Sequence, residues 1–452
     1  MGWQYSIDEL ARMIGAEQPR SARTFERIST DTRTLEGGDV FFALSGERFD
    51  GTEFSGRAFE AGAAAVISTK QHPAGPCVVV DDPLAALQRF AAAHRSLYEI
   101  PVIAITGSCG KTTSKDLITS VLKTKYEIAH TEGNLNNEVG CPLSLLGIGN
   151  GTERAVVEMG ANHMGEIAAL CALAKPTEAA ITMIGPAHLK GFGSIESVAS
   201  AKAEIMESLP LDGMFYVNAD DPRCVEIGKG YAGRTLRFGK DGDVRLEKCS
   251  RLDSGELLLR VEPVGEFALP IPSAAHASNV LLAIAVGLQH GIEDFEAPLR
   301  EACASSRRFR VFRVGPLEVL DDSYNSNPVS ARAAIDALAE RASAGKRIAL
   351  LGDMLELGPD AGSFHAELGR YAAERDISYV FARGDFAHDT IDAARELGAV
   401  VAEAIQEYED LARAIAECAA EGDMLLVKGS RGMAMEKVIE LLRVRYSETG
   451  AG

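Results

Sequence analysis

The sequence has no apolar run approaching the roughly 18 residues needed to cross a bilayer, so no transmembrane segment is expected. The stretch from Met1 to Leu10 does not read as a signal peptide. None of the eight cysteines forms a Cys-x-x-Cys pair. Scattered through 452 residues, they read as reduced thiols of a cytosolic protein and not as a disulfide framework. Positive charge is in deficit: 46 Lys and Arg face 65 Asp and Glu, a formal net charge of −19. That balance argues against a nucleic-acid surface. An anionic small molecule remains open, because it needs only a local basic pocket. The strand–helix alternation of residues 311–452 carries no Gly-x-Gly-x-x-Gly, so a dinucleotide cofactor is not indicated there. No internal repeat or low-complexity tract is evident. What is present fits a globular protein, 46% hydrophobic and 25% charged. The length suits roughly two to four domains, each with its own core.

The richest stretch runs from Val102 to Thr113. Val102 to Thr106 is a short β-branched, apolar run that reads as a buried strand. Gly107 and Gly110 permit a tight turn with positive φ. Beyond Lys111 the pattern turns helical, with Leu117, Val121 and Leu122 on one face. Strand, glycine loop and helix together form a phosphate cradle, in which backbone N–H groups and the helix N-terminus face an anion. Lys111 then reaches the outer phosphates and the Thr112 hydroxyl ligates Mg²⁺. Ile105 stands where the strict phosphate-loop pattern has its first glycine, so the loop is a shortened form. Cys109 within it reads as a small filler residue.

Taken in order, the chain divides into three expected units: 1–82, 83–310 and 311–452. The first holds a short capped helix at Ser6–Met13 and strands at Val40–Leu44, Ala61–Ser68 and Cys77–Val80. The segments around Val40 carry hydroxyls and an arginine, suited to a polar anionic ligand; Asp31 to Arg33 alone reads equally as a solvated turn. A helix over Asp82–Glu99 leads into the phosphate-loop strand. In the second unit a loop from Gly133 to Pro142 is dense in side-chain amides. Strands at Arg154–Met159 and Ala179–Ile184 follow, then a helix at Ser194–Leu209. Parallel α/β sheets place ligand groups at the carboxyl ends of their strands. Glu158 and His188 sit at such ends, as does the phosphate loop. With Thr112 they form a candidate metal shell. Lys202 reads from composition as a snorkelling surface lysine. The third unit alternates strand and helix throughout, implying a parallel, Rossmann-like sheet. Its strand-end loops, Asp321–Pro328, Gly352–Gly358 and Lys428–Arg431, carry polar clusters of the kind rigid scaffolds present to ligands. The fold class is α/β with three domains: a small α/β unit, a central P-loop ATPase-like parallel sheet and a C-terminal Rossmann-like unit.

The motifs T-G-S-C-G-K-T-T, V-E-M-G-A-N-H, G-P-A-H-L-K-G-F-G-S, A-K-A-E-I, H-A-S-N and D-D-S-Y-N-S-N-P occur in this order. Together they resemble the Mur ligase family of ATP-dependent amide-bond-forming enzymes, over nearly the whole chain. The shortened loop with Ile105 is that family's form. Two further pieces, L-G-D-M-L-E-L-G and K-G-S-R-G-M, resemble the member that adds D-alanyl-D-alanine to UDP-N-acetylmuramoyl-tripeptide. So does S-T-D-T-R with F-F-A-L-S-G-E-R-F-D-G, whereas the D-N-P-R motif of the neighbouring ligase is absent.

The resemblance implies a ligase reaction through an acyl phosphate, using ATP and Mg²⁺, in cytoplasmic peptidoglycan precursor synthesis by a monomer. It implies that Lys202 is carbamylated by CO₂, and that Lys111, Lys202, His188 and Glu158 are catalytic. Thr112, Glu158, His188 and carbamylated Lys202 are the expected metal ligands. ATP is expected on Gly107, Ser108, Cys109, Gly110, Lys111, Thr112 and Thr113. Asn279, Arg308, Asp322 and Asn325 are expected on the nucleotide's base, phosphate and ribose, with Arg307 and Arg310 competing for the role of Arg308. The muramoyl and dipeptide substrates are expected on Ser29, Thr32, Arg33, Gly46, Arg48, Asp50, Asn134, Asn137, Tyr324, Asn327, Lys428, Ser430 and Arg431. Two other readings are a folylpolyglutamate- or cyanophycin-type ligase, and a P-loop nucleotide-binding module without ligase activity. The sequence does not reveal whether the tripeptide ends in lysine or diaminopimelate.

Overall fold

The structure, a computed structural model, describes residues 2–17, 21–46, 49–305, 308–341, 345–397 and 401–449. Arg48 and Arg307, both expected near ligands, lie outside the described residues.

The phosphate-loop strand Val102–Thr106 is buried along its whole length. Its side chains alternate between two faces, as in any strand. Val102 and Ala104 enter one core with the helices Pro83–Arg95, Glu166–Ala174 and Ile195–Glu207. Ile103 and Ile105 enter another with Lys111–Lys123 and Ala277–Gln289. Burial on both faces explains why the strand reads as a continuous apolar run. It lies inside a nine-stranded sheet ordered Gly265–Leu269, Leu257–Glu262, Val244–Arg251, Arg234–Gly239, Met214–Asn218, Glu178–Ile181, Val102–Thr106, Arg154–Glu158 and Ile128–His130. The last seven strands pair in parallel, while the first two form an antiparallel meander on Val244–Arg251.

Before it, Ile28–Ser29, Val40–Phe42, Ala65–Ser68 and Cys77–Val79 make a parallel four-stranded sheet. The helix Ile7–Ile14 starts at a Ser6–Glu9 capping box. Trp3, Tyr5, Phe25, Phe42 and Phe90 pack in the same core as the central sheet. Trp3 Nε1 donates to the Leu146 carbonyl at 2.7 Å, and His94 bridges Tyr5 and the Ile148 carbonyl. The first unit therefore shares a core with the second.

The third sheet runs Arg310–Val314, Leu317–Asp322, Met424–Lys428, Arg347–Gly352, Tyr379–Arg383, Val401–Ala404. Five strands are parallel, as strand–helix alternation requires. The sixth, Arg310–Val314, is antiparallel and corrects the expectation of an all-parallel sheet. The two residues Gly315 and Pro316 before Leu317 leave room only for a hairpin, and Gly315 supplies the positive φ of its turn.

Candidate functional site

The carboxyl ends of the central strands and those of the third sheet face each other across a cleft of about 880 Å³. The loop helix Lys111–Lys123 begins at Gly110, whose φ of 85° falls in the left-handed region. A Cβ there would collide with Asn279 Oδ1, which accepts the Ser114 hydroxyl at 3.0 Å. Asn279 thus braces the back of the loop from the helix Ala277–Gln289. The loop is fixed on its other side as well. Ser108 Oγ donates to the Gly185 carbonyl and accepts the Gly185 N–H, and Thr182 Oγ1 donates to the Cys109 carbonyl. Burial pushes the Cys109 thiol up, which suits a filler residue and not a reactive thiolate. Lys111 Nζ donates to its own loop at the Gly107 carbonyl, 2.8 Å away. Burial lowers its pKa and the charge of Glu158 opposes that fall. Thr113 completes the loop's lining of the cleft.

Glu158 ends the strand next to the loop strand and is 1% exposed. One carboxylate oxygen accepts Asn136 Nδ2 at 2.7 Å, whereas Oε2 is buried with no hydrogen-bond partner. A buried, unpaired anionic oxygen beside a phosphate loop is a vacant donor for a hard cation. Asn136 was not singled out from the sequence. Its signal was only the amide density of the loop, where Asn134 is exposed and Asn137 Oδ1 accepts the Gly140 N–H at 2.9 Å.

His188 heads the short helix Leu189–Phe192 and lines the cleft. Burial first, and then the charge of Lys111, lowers its pKa. Its Nδ1 lies 2.5 Å from the carboxylate of Glu356 in the third sheet's loops, a second residue the sequence reading did not name. Lys202, on the helix Ile195–Glu207, is 2% exposed and has no hydrogen-bond partner among the described residues. The snorkelling surface reading is therefore excluded. Burial and the Lys111 charge bring its ammonium pKa down to about 7. Among the described residues no three His, Cys, Asp or Glu side chains gather into a metal-binding cluster. Glu158 and the Thr112 hydroxyl instead fit the sparse protein contribution typical of Mg²⁺, whose shell is completed by phosphates and water.

From the far side, Arg308 Nη2 donates to Thr112 Oγ1 at 3.1 Å, and its guanidinium lies 3.6 Å from the centre of the Tyr324 ring. Arg310, the competing arginine, pairs with Asp321. Asn327 caps the helix Pro328–Glu340 and sends Nδ2 to the Ser108 carbonyl at 3.1 Å, tying this helix to the phosphate loop. Asp322 forms a 2.7 Å ion pair with buried Lys428, whose Nζ also donates to the Asn325 carbonyl. Ser430 Oγ accepts the Leu355 N–H, and Arg431 pairs with Glu436. Lys428, Asn327 and Ser430 thus hold the strand-end loops in shape.

The five described N-terminal candidates stand apart from this cleft, where among the described residues Gln88 alone lines it ahead of the loop strand. Arg33 pairs with Asp31 and holds its carboxyl down to about 2. Ser29 Oγ donates to the Asp31 carbonyl, next to Thr32. Gly46 bridges to Phe49, and Asp50 accepts the hydroxyls of Ser45 and Thr52. These groups form a separate polar surface of the first sheet's loops.

Three family models match the chain: the Mur ligase catalytic domain over 24–95, the Mur ligase middle domain over 105–287, and the Mur ligase glutamate ligase domain over 307–431. The chain is 37% identical to the UDP-N-acetylmuramoyl-tripeptide--D-alanyl-D-alanine ligase of Bacillus subtilis, over 96% of this chain and 97% of that protein. It superposes on the MurF crystal structure from Acinetobacter baumannii with a TM-score of 0.87 at 30% identity, covering 97% of this chain and 99% of that one. For MurF ligase from Thermotoga maritima in complex with ADP the TM-score is 0.81 at 29% identity, with 94% and 98% covered.

Proposed function

This chain belongs to the Mur ligase family, and from that premise we propose that it uses ATP to join D-alanyl-D-alanine to UDP-N-acetylmuramoyl-tripeptide in peptidoglycan precursor synthesis. The observation that carries the reading is the cleft itself. The phosphate loop shares this cleft with buried Glu158 and half-buried His188 on one side and the C-terminal strand-end loops on the other. ATP use is further supported by the ADP complex of the Thermotoga maritima relative.

A carboxylate is a poor acyl donor at neutral pH, and phosphorylation solves this. The tripeptide's terminal carboxylate attacks the γ-phosphorus of ATP, forming an acyl phosphate and releasing ADP. The dipeptide's neutral amine then attacks the acyl carbon. The tetrahedral intermediate collapses to the amide and inorganic phosphate. Positioning and charge neutralisation carry most of such transfers. The loop N–H groups and Lys111 hold the phosphates, and Arg308 adds charge from the far domain. Thr112, Glu158 and His188 would hold Mg²⁺, which supplies neutralisation of phosphate charge. Lys202 is suited to react with CO₂, because its lowered pKa leaves neutral amine at physiological pH. The resulting carbamate would place a carboxylate-like anion within the field of Lys111. Bases, ribose and phosphates of ATP are assigned to Asn279, Asp322, Asn325 and Arg308, the uridine nucleotide to the first sheet's loops, and the dipeptide to Tyr324 and Arg431.

No described helix is long and apolar enough to cross a membrane. We assign the reaction to the cytoplasm, where ATP is available, and to a monomer. Phosphate release is the test, with UDP-muramoyl-tripeptide ending in either lysine or diaminopimelate. Release that requires both the tripeptide and D-alanyl-D-alanine is the expected result. Slow release indifferent to the dipeptide would return the chain to a nucleotide-binding module.

A further inference from the structure

We infer that Glu356 is a positioning residue for His188, delivered by the C-terminal domain, so that His188 is set for its role only while that domain sits against the central one. The two residues are 168 positions apart in sequence, and Nδ1 of the imidazole lies 2.5 Å from Oε2 of the carboxylate. An ionised carboxylate can only accept, so Nδ1 carries the proton and Nε2 keeps its lone pair. Nε2 has no hydrogen-bond partner among the described residues, and His188 lines the cleft that contains the phosphate loop. A carboxylate on the far nitrogen is the usual way an imidazole's tautomer and ring angle are fixed.

The backbone supplies independent support. His188 has φ 53° and Glu356 has φ 64°, both in the left-handed region that non-glycine residues rarely occupy. Such conformations persist where the surroundings over-determine them, and they concentrate at functional sites. Here the two strained residues face each other across the domain boundary. They are tied a second time through the main chain, the Lys190 N–H donating to the Glu356 carbonyl at 2.9 Å. The loop that carries Glu356 is itself held inside its own domain. The Met354 N–H donates to His365 Nε2 and the Leu355 N–H to Ser430 Oγ, both at 2.9 Å. Glu356 is more than half exposed, so as an ion pair it adds little to stability. What the contact fixes is the orientation and tautomer of one imidazole, which supplies a role for the strand-end motif L-G-D-M-L-E-L-G.

For its catalytic consequence the inference rests on the ligase reading, and the test separates the two. Nitrogen-15 spectra of the imidazoles are recorded on the ADP-saturated full chain in mildly alkaline buffer, with the His188 signals located by their loss in His188→Gln. The native protein should show the Nδ1–H tautomer at His188. Glu356→Ala should shift that signal toward the Nε2–H tautomer that free imidazole prefers. It should also lower kcat for phosphate release roughly 10- to 100-fold, with little change in KM for ATP. Glu356→Gln, whose amide oxygen still accepts, should keep the native tautomer and recover most of kcat. An unchanged His188 signal in Glu356→Ala, or a changed signal with unaltered kcat, overturns the inference. If the native protein released no phosphate from its proposed substrates, the ligase reading would fail, and the tautomer shift alone would still decide the role of Glu356.

Discussion

Replacing Lys202 by methionine should make the protein more stable and inactive at once. Lys202 is 2% exposed on the helix Ile195–Glu207, and burial together with Lys111 brings its pKa from 10.5 to about 7. The unfolded chain therefore binds one more proton than the folded chain between pH 7 and 10.5. Stability must rise with pH through that window, by about 1.4 kcal/mol per unit, and the full penalty is present below pH 7. Summed over the window, the uncarbamylated lysine costs on the order of 5 kcal/mol at neutral pH. Methionine keeps the straight chain and removes the charge, so that penalty and its pH slope both vanish. For a domain of this size the difference corresponds to roughly 10 °C in melting temperature. The assay is thermal denaturation of both proteins in CO₂-free buffer at several pH values between neutral and mildly alkaline. The native curve should climb with pH toward a nearly flat Lys202→Met curve. Bicarbonate should stabilise only the native protein, because carbamate formation draws on the folded state alone. The same pKa leaves about half the amine neutral at pH 7, against roughly 0.03% for an ordinary lysine, so CO₂ meets over a thousandfold more nucleophile. Phosphate release by Lys202→Met should be crippled, with partial recovery in excess short carboxylate. A Lys202→Met protein that is less stable than the native one, or that melts with the same pH slope, would refute this account of a buried amine.

Lys111→Ala should abolish ATP-dependent phosphate release, by about 10²-fold or more, while circular dichroism stays native. Gly110→Ala forces a side chain into a φ of 85° at about 1–2 kcal/mol and drives its Cβ against Asn279 Oδ1. Calorimetry should find ADP binding weakened by at least about tenfold. Asn327→Ala removes both a helix cap and the bond to the Ser108 carbonyl. It should lower stability by about 1 kcal/mol, read in denaturant, and raise KM for ATP, since the helix it caps is tied to the loop.

Much of the fold was legible because the local signals agreed with the global structure. The Val102–Thr106 strand was placed residue for residue, since burial on both faces demands a continuous apolar run and two glycines end it. The first helix, expected as a capped helix over Ser6–Met13, runs Ile7–Ile14 with Ser6 as its cap. The antiparallel strand Arg310–Val314 escaped notice because its residues alternate charged and apolar only briefly beside an arginine-rich stretch. Asn136 and Glu356 escaped for another reason. Their work is to touch one particular side chain, 22 positions away for Asn136 and 168 for Glu356, and no periodicity encodes a partner at that range.

By itself the sequence determined the phosphate loop, the order of strands and helices, and the motifs that resemble one ligase family, because each is a pattern of neighbouring residues. Only the tertiary structure decided the protonation and pairing of the site. A surface-like lysine became a buried amine of lowered pKa because folding leaves Lys202 only 2% exposed and places Lys111 in its field. Candidate ligand groups such as Lys428 and Asn327 turned out to brace the strand-end loops, because folding brings Asp322 and Ser108 within bonding distance of them. Burial and long-range charge set what a residue can do, and both arise only when distant segments meet.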